Sequence, residues 1–269
     1  MTDPALVAPA PTASTSRDRV SPRDAAPAPE TAAAGHAELP DAWSPPSAAP
    51  HAPADWSPPP EDWALPPPMP VAPRTLQGRL VRLEPLEDRH VPGLMEAGSS
   101  TELWRWTVEW IDTPEKLRAY LAAAERARDD GTQVPFVTID QATDRIIGSS
   151  RFLNIDRVHH RLEIGYTWVN PRWQRRGANL EAKLLQLTCA FEVLGCRRVE
   201  FKTDSLNDKS RNALLGIGAT FEGIFRNHMI SQGGRMRHSA YYSITDAEWP
   251  QVRPYLEGRL ARHLPAQEP

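Results

Sequence analysis

Apolar residues recur at Leu180, Leu184, Leu187, Phe191 and Leu194, a helical spacing that predicts one buried face and a helix closed by a left-handed turn at Gly195. Just before it, Arg161 to Val169 is rich in β-branched, aromatic and aliphatic residues and reads as a strand. Asn170-Pro171 ends that strand, because proline has no N–H for a ladder and biases its predecessor away from helix. Alternation predicts further strands over Gly78–Glu84 and Arg198–Thr203. It also predicts two hairpins: Gln133–Asp140 with Arg145–Ile155, and Ala219–Ile230 with Met236–Thr245 about Gln232-Gly233-Gly234.

Helix signals fall between these strands. Glu87 to Gly98 reads as a short helix, and Thr113-Pro114-Glu115 supplies a cap, a first-turn proline and a first-turn acid for a helix running to Asp130. Asn207 caps a helix that reaches Ile217, and Thr245-Asp246-Ala247-Glu248 is a capping box for a last helix ending near Leu264. The pattern predicts a mixed α/β domain over residues 73–269, with six or seven largely antiparallel strands flanked by three or four helices.

Chemistry gathers in the turn between the Arg161–Val169 strand and its helix, Gln174-Arg175-Arg176-Gly177-Ala178-Asn179. The first amides of a helix lack partners within it, and they carry the positive end of its dipole. With Arg172, Arg175 and Arg176 nearby, the turn suits a phosphate or pyrophosphate; an ordinary strand-to-helix turn with solvated arginines reads equally well from spacing alone.

This turn resembles the Gln/Arg-x-x-Gly-x-Gly/Ala signature of the GNAT superfamily of acyl-CoA-dependent N-acyltransferases, with Gln174 first and Gly177 fourth. Asn179 stands where a small last residue is usual. Leu162-Glu163-Ile164-Gly165-Tyr166, Asn207 to Ala213 and Gly218 to Gly223 resemble the branch that includes the ribosomal-protein N-terminal acetyltransferases (RimJ/RimL-like). The resemblance covers Thr75 to Thr245.

It implies acetyl-CoA as acyl donor, with its pyrophosphate on the amides from Arg175 to Leu180, Gly177, Ala178 and Asn179 among them, and its pantetheine beside the strand Glu163–Val169. A backbone N–H near Trp168 or Val169 would polarise the thioester, and Asn207 and Ser210 match positions beside the cofactor, although they also serve as helix cap and first-turn serine. Glu163 is a candidate base for the amine; anchoring a loop is its competing role. Tyr241, Tyr242 and Ser210 are candidate acids for the leaving thiolate, and the alternation of a strand lets only one of the two tyrosines face the cleft. Trp104, Trp106 and Trp110 point one way if their segment is extended, and either line the acceptor site or cover the core.

The expected reaction moves an acetyl group to a primary amine, of a small molecule or a protein N-terminus, within a ternary complex. A non-catalytic acyl-CoA-binding or protein-interaction module on the same fold is the alternative. A homodimer is compatible with either.

Composition divides the chain. Residues 1–72 hold 18 of the 28 prolines, with three arginines against nine acids. Such a segment buries too little to offset its ordering entropy and is expected to be a disordered Pro/Ala-rich tail, in which Trp43, Trp56 and Trp63 are candidate sticky motifs. The remainder is formally +3, a mild basicity that fits an anionic cofactor better than nucleic acid, since no long Lys/Arg cluster interleaves with aromatics. The opening residues show no positive leader, no apolar run reaches membrane-spanning length, and Cys189 and Cys196 make a poor disulfide framework. These features predict a cytoplasmic protein without a membrane partner. The histidines His159, His160, His228 and His238 lack companions at metal-ligand spacing, so no metal is expected.

Overall fold

The computed structural model describes residues 64–264. Eight strands form one sheet: β1 (Leu76–Gln77), β2 (Val81–Pro85), β3 (Val134–Asp140), β4 (Ile146–Asp156), β5 (Arg161–Val169), β6 (Arg198–Asp204), β7 (Thr220–Ile230) and β8 (Met236–Thr245). Their order is β1-β2-β3-β4-β5-β6-β8-β7, and every pairing is antiparallel except β5 with β6. The strand beyond the predicted six or seven is β1, too short to leave an alternating pattern. Five α-helices accompany the sheet: α1 (Val91–Ala97), α2 (Pro114–Asp129), α3 (Ala178–Thr188), α4 (Asp208–Gly216) and α5 (Trp249–Ala261). Among the described residues no helix is long and apolar enough to cross a membrane.

Strand alternation splits the interior into two cores. Val134 and Phe136 of β3 face one side, where Leu187 of α3, Leu214 of α4 and Val252 and Leu256 of α5 pack. Val137 and Ile139 face the other, beneath Leu94 of α1 and Leu117 and Leu121 of α2. On this face the helices pack over β3 and β4 and reach β5 at Trp168, whereas Arg161, Glu163, Glu200 and Tyr241 of β5, β6 and β8 line an open cleft.

Local signals act as their chemistry demands. Thr113 Oγ1 accepts the Lys116 amide, and Asn207 Oδ1 accepts the Ser210 amide at 3.1 Å. Glu248 accepts from the Thr245 amide and hydroxyl, although α5 starts only at Trp249. After Thr188 the helix widens into a π turn, Cys189–Val193, so its apolar face extends past α3.

One expectation is corrected. The tryptophan segment is not extended: Thr101–Trp104 is a 3-10 turn, in which Trp104 is buried with its indole N–H donating to the Gly98 carbonyl while Trp110 faces solvent. Residues just ahead of the expected domain start at 73 pack against the sheet. Met69 is fully buried, its amide donates to the Arg157 carbonyl, and Arg157 in turn donates to the Met69 carbonyl. The expected tail lies outside the described residues except for its last part, 64–72, and Trp43, Trp56 and Trp63 lie outside them.

Candidate active site

The sheet opens along β5. Its parallel pairing with β6 covers only Arg161–Glu163 against Arg198–Glu200. Beyond Glu163, β5 keeps its ladder to β4 as far as Val169, and β6 keeps its own to β8 as far as Asp204. A bulge marks the divergence: between the pairs Ser149–Trp168 and Arg151–Gly165, β5 carries Tyr166 and Thr167 against Ser150 alone. Tyr166 has a φ of 49°. Tyr166 and Thr167 are exposed although they sit mid-sheet, because no strand covers that edge of β5.

Backbone direction follows from two hydrogen bonds. The Asn170 amide donates to the Ile147 carbonyl of β4, and the Val169 carbonyl accepts from Gln174 Nε2 on the other side. By alternation, the amides of Val169 and Thr167 face the gap toward β6, and that of Trp168 faces β4.

At the mouth of the gap Gly177 caps α3 with a φ of 83°. A Cβ there would come 2.8 Å from Leu80 Cδ1 and from His263 Cβ, so backbone conformation and packing both require glycine. The first helical bond of α3 runs from the Glu181 amide to the Gly177 carbonyl, which leaves the amides of Ala178, Asn179 and Leu180 ahead of the ladder. Arg172, Arg175 and Arg176 are exposed around it, and Lys209 of α4 donates to Gln174 Oε1 at 2.6 Å. Asn179 Oδ1 is buried without a donor among the described residues. These free amides, surrounding cations and open strand edge fit a polyanionic ligand with an extended amide-bearing arm, as acyl-CoA is.

Buried polar groups of α3 hold this end of the sheet. The Glu181 carboxylate accepts the amides of Arg79, Leu80 and Val81 at 2.6 to 2.8 Å, fixing the β1–β2 turn beneath the helix N-terminus. Lys183 Nζ donates to Thr167 Oγ1, Ser150 Oγ and Gln186 Oε1, all neutral acceptors, at 2.7 to 3.2 Å. Burial lowers its pKa to about 7.

The open face of the sheet carries a second cluster. Glu163 is buried, and its Oε2 accepts from Asn154 Nδ2 at 2.8 Å and Lys202 Nζ at 3.1 Å. Desolvation raises the pKa of this carboxyl, against the opposing pull of Lys202 and the Asn154 hydrogen bond. Tyr241 pairs opposite Lys202 and stacks on Phe225 with ring centroids 4.2 Å apart. Its hydroxyl lies 3.4 Å from His228 Nε2, and burial raises its pKa while lowering that of His228. Glu163, Asn154, Arg161, Glu200, Phe225 and Tyr241 line one cleft. Gln232, on the β7–β8 connection, aims its amide at the carbonyls of Trp104, Arg105 and Thr107, joining the hairpin to the tryptophan segment.

The sequence-predicted residues fall at two places: Gln174 to Leu180, Asn207 and Ser210 lie at the mouth of the gap, and Glu163 and Tyr241 line the cleft on the open face. Tyr242 does not join them: it is fully buried on the α3 side, where its hydroxyl accepts from Arg211 Nε. Trp104 is likewise core, packed edge-on against Tyr120, and Trp106 lies beside the Arg105 guanidinium. Sequence reasoning missed Lys202, Asn154 and Lys183. The one available signal was the run Arg198, Glu200, Lys202, charged at every second position of an otherwise apolar strand.

Comparison with known proteins bears on this geometry. Residues 80–220 match the family model for an acetyltransferase (GNAT) domain, just over half of the chain. A solved GCN5-related N-acetyltransferase from Brucella melitensis is 33% identical and superposes with a TM-score of 0.67, over 74% of this chain and 90% of that one. The ribosomal-protein-S5-alanine acetyltransferase from Vibrio fischeri, at 18% identity and a TM-score of 0.55 over 65% of this chain and 98% of that one, shares the fold. Among curated proteins, the uncharacterized N-acetyltransferase YoaA of Bacillus subtilis is 31% identical over 91 residues, 34% of this chain, which spans about half (51%) of that relative's length. With the divided sheet and the glycine-capped helix beside it, the match across residues 80–220 makes the chain a member of the GNAT acetyltransferase family.

Proposed function

We propose that the protein transfers an acetyl group from acetyl-CoA to a primary amine by direct attack in a ternary complex. The observation that carries this reading is the parting of β5 from β6 beside the left-handed cap of α3. Bound acetyl-CoA supplies an acyl thioester. The amides of Ala178 to Leu180, with Arg175 and Arg176 around them, hold its phosphates. The exposed edge of β5 pairs with its pantetheine as an added strand would. The Thr167 or Val169 amide then donates to the thioester carbonyl as negative charge develops on it.

Attack needs a neutral amine, and a protonated α-amine loses its proton near pH ~8 without help. Glu163 takes that proton, directly or through one water. Its raised pKa makes it a better base than a solvated carboxylate, and Lys202 and Asn154 hold it in place. Of the two tyrosines, Tyr241 is the proton donor for the leaving thiolate, sharing the open face with Glu163. Ser210, at the cap of α4, completes the cofactor side. The resemblance to the ribosomal-protein branch favours a cytoplasmic enzyme without a metal, acting on a small amine or a protein N-terminus.

The test is calorimetric titration of the full chain with acetyl-CoA, followed by thiol release with a panel of amines. Micromolar binding with amine-dependent thiol release is expected. Binding without release would leave the acyl-CoA-binding module standing, and absence of binding would overturn the acyltransferase reading and leave only a protein-interaction module.

A further inference from the structure

One buried cation on the acceptor face has no role in the reaction as drawn. Arg151 lies on β4, paired opposite Gly165 beside the β5 bulge, and is only 3% exposed. Its guanidinium carbon lies 4.9 Å from the Tyr120 ring centroid and 4.2 Å from that of Tyr166. Nη1 donates to Gln133 Oε1 at 3.1 Å. Nε and Nη2 are buried without a well-formed hydrogen bond among the described residues, the Tyr120 hydroxyl interacts with the guanidinium, and no carboxylate among them forms an ion pair with this arginine. Aromatic faces recover part of the cost of burying such a charge, but they leave two donors of the planar fork unsatisfied, and that fork matches a carboxylate.

The surroundings say where that carboxylate comes from. Tyr166 covers the guanidinium, yet it is half exposed and stands on the bulge, at the edge of β5 that the acyl group would follow. Glu163 lies two residues before Gly165, the partner of Arg151, on the same face of β5, roughly 6–7 Å along the strand. Gly165 keeps the floor between them open: a Cβ there would come 2.9 Å from Glu163 Oε1 and 3.0 Å from Leu153 Cδ2. One end of this floor thus presents a proton acceptor for an amine, and the other a guanidinium lacking its anion.

We propose that Arg151 is a specificity-determining residue and that the acceptor is an amine bearing a carboxylate, an amino acid or a close analogue. The carboxylate displaces the Tyr166 ring and takes the Nε and Nη2 donors, which sets the amine toward Glu163 and the bulge. This inference rests on the acyltransferase reading.

Acetylated products serve as probes. N-acetylated amino acids and their C-terminal amides would be titrated, in the presence of CoA, into the full-length wild type and into Arg151→Met and Arg151→Lys. The wild type should prefer carboxylates over amides by on the order of 10- to 100-fold, the value of hydrogen bonds to a charged group. Arg151→Met should lose that preference with CoA affinity intact, and Arg151→Lys, which keeps the charge without the fork, should retain part of it. Equal binding of acids and amides, binding of neither, or a preference that survives Arg151→Met would overturn the proposal; so would faster turnover of amidated amines or peptide N-termini than of free amino acids. If Arg151→Met does not fold, the wild-type comparison and Arg151→Lys decide. Failure of acetyl-CoA to bind would instead sink the acyltransferase reading, so the two failures are distinguishable.

Discussion

Strand β5 serves two regions of opposite construction. Its exposed edge and the cap of α3, the proposed donor side, are made of backbone: free amides, an unpaired strand edge, a glycine at positive φ. Its open face, the proposed acceptor side, is made of side chains held by one another: Glu163 by Lys202 and Asn154, Tyr241 by Phe225 and His228. A backbone site depends on local conformation and tolerates many side chains. A site of coupled side chains depends on residues distant in sequence, and one substitution alters its neighbours' charge states. The two sides should therefore respond differently to mutation.

The largest effect is expected on the acceptor side. Glu163→Gln keeps the shape and removes the base, so kcat should fall by on the order of 100- to 1,000-fold while acetyl-CoA affinity stays unchanged. In the wild type kcat/KM should rise with pH through a carboxyl titration above the usual Glu range, because desolvation raises the Glu163 pKa and only its ionised form accepts a proton. Stopped thiol-release assays from pH 4 upward, with calorimetry on the variant, check both. A variant that keeps full turnover would remove Glu163 from the mechanism.

On the donor side a conformational substitution should outweigh removal of charge. Gly177→Val meets a φ of 83° and contacts at 2.8 Å, and should weaken acetyl-CoA binding by on the order of 100-fold with about 1–3 kcal/mol of lost stability. Arg175→Ala and Arg176→Ala remove exposed cations and should cost only roughly 2- to 5-fold each, an effect that shrinks further in high salt. If the arginines proved the more damaging, the donor site would be one of side-chain charge.

This contrast also separates what could be read in the sequence from what could not. Helical spacing, Asn170-Pro171, Gly177 and the Asn207 cap are local signals, and they located β5, its turn and α3 and α4 with small boundary shifts. The 3-10 turn that buries Trp104 was missed because even spacing reports a face only if the backbone is extended. The pairing of Glu163 with Lys202, 39 positions away, depends on which strands become neighbours, and no local pattern encodes that. Tyr241 and Tyr242 could be assigned to opposite faces, but only the placement of α3 and α5 decides which face is covered.

A subtler change sharpens the acceptor side. Lys202 lowers the Glu163 pKa through its charge and its hydrogen bond, so Lys202→Met should move the acidic limb of the kcat/KM profile to higher pH. The maximum at alkaline pH should change little by comparison, because the ionised base still forms there. A limb that stays in place would mean that Glu163 is not the group it reports.

The smallest functional effect should come from Lys183, beneath the donor strand. Its folded pKa is about 7 against an ordinary 10.5, so between those values the unfolded chain binds a proton that the folded chain does not. Stability on this account is full above about pH 10.5, declines as pH falls, and has lost roughly a few kcal/mol by pH 7. Lys183→Met removes the titrating group, so its unfolding free energy should vary less between pH 7 and 10 than that of the wild type. The gain near neutrality is offset in part by the acceptors it abandons, Thr167, Ser150 and Gln186. Denaturant unfolding across that range, with acetyl-CoA affinity measured alongside, separates the outcomes. A flatter stability profile with affinity unchanged would leave the donor side a matter of backbone, whereas a loss of affinity would bring a buried charge into it.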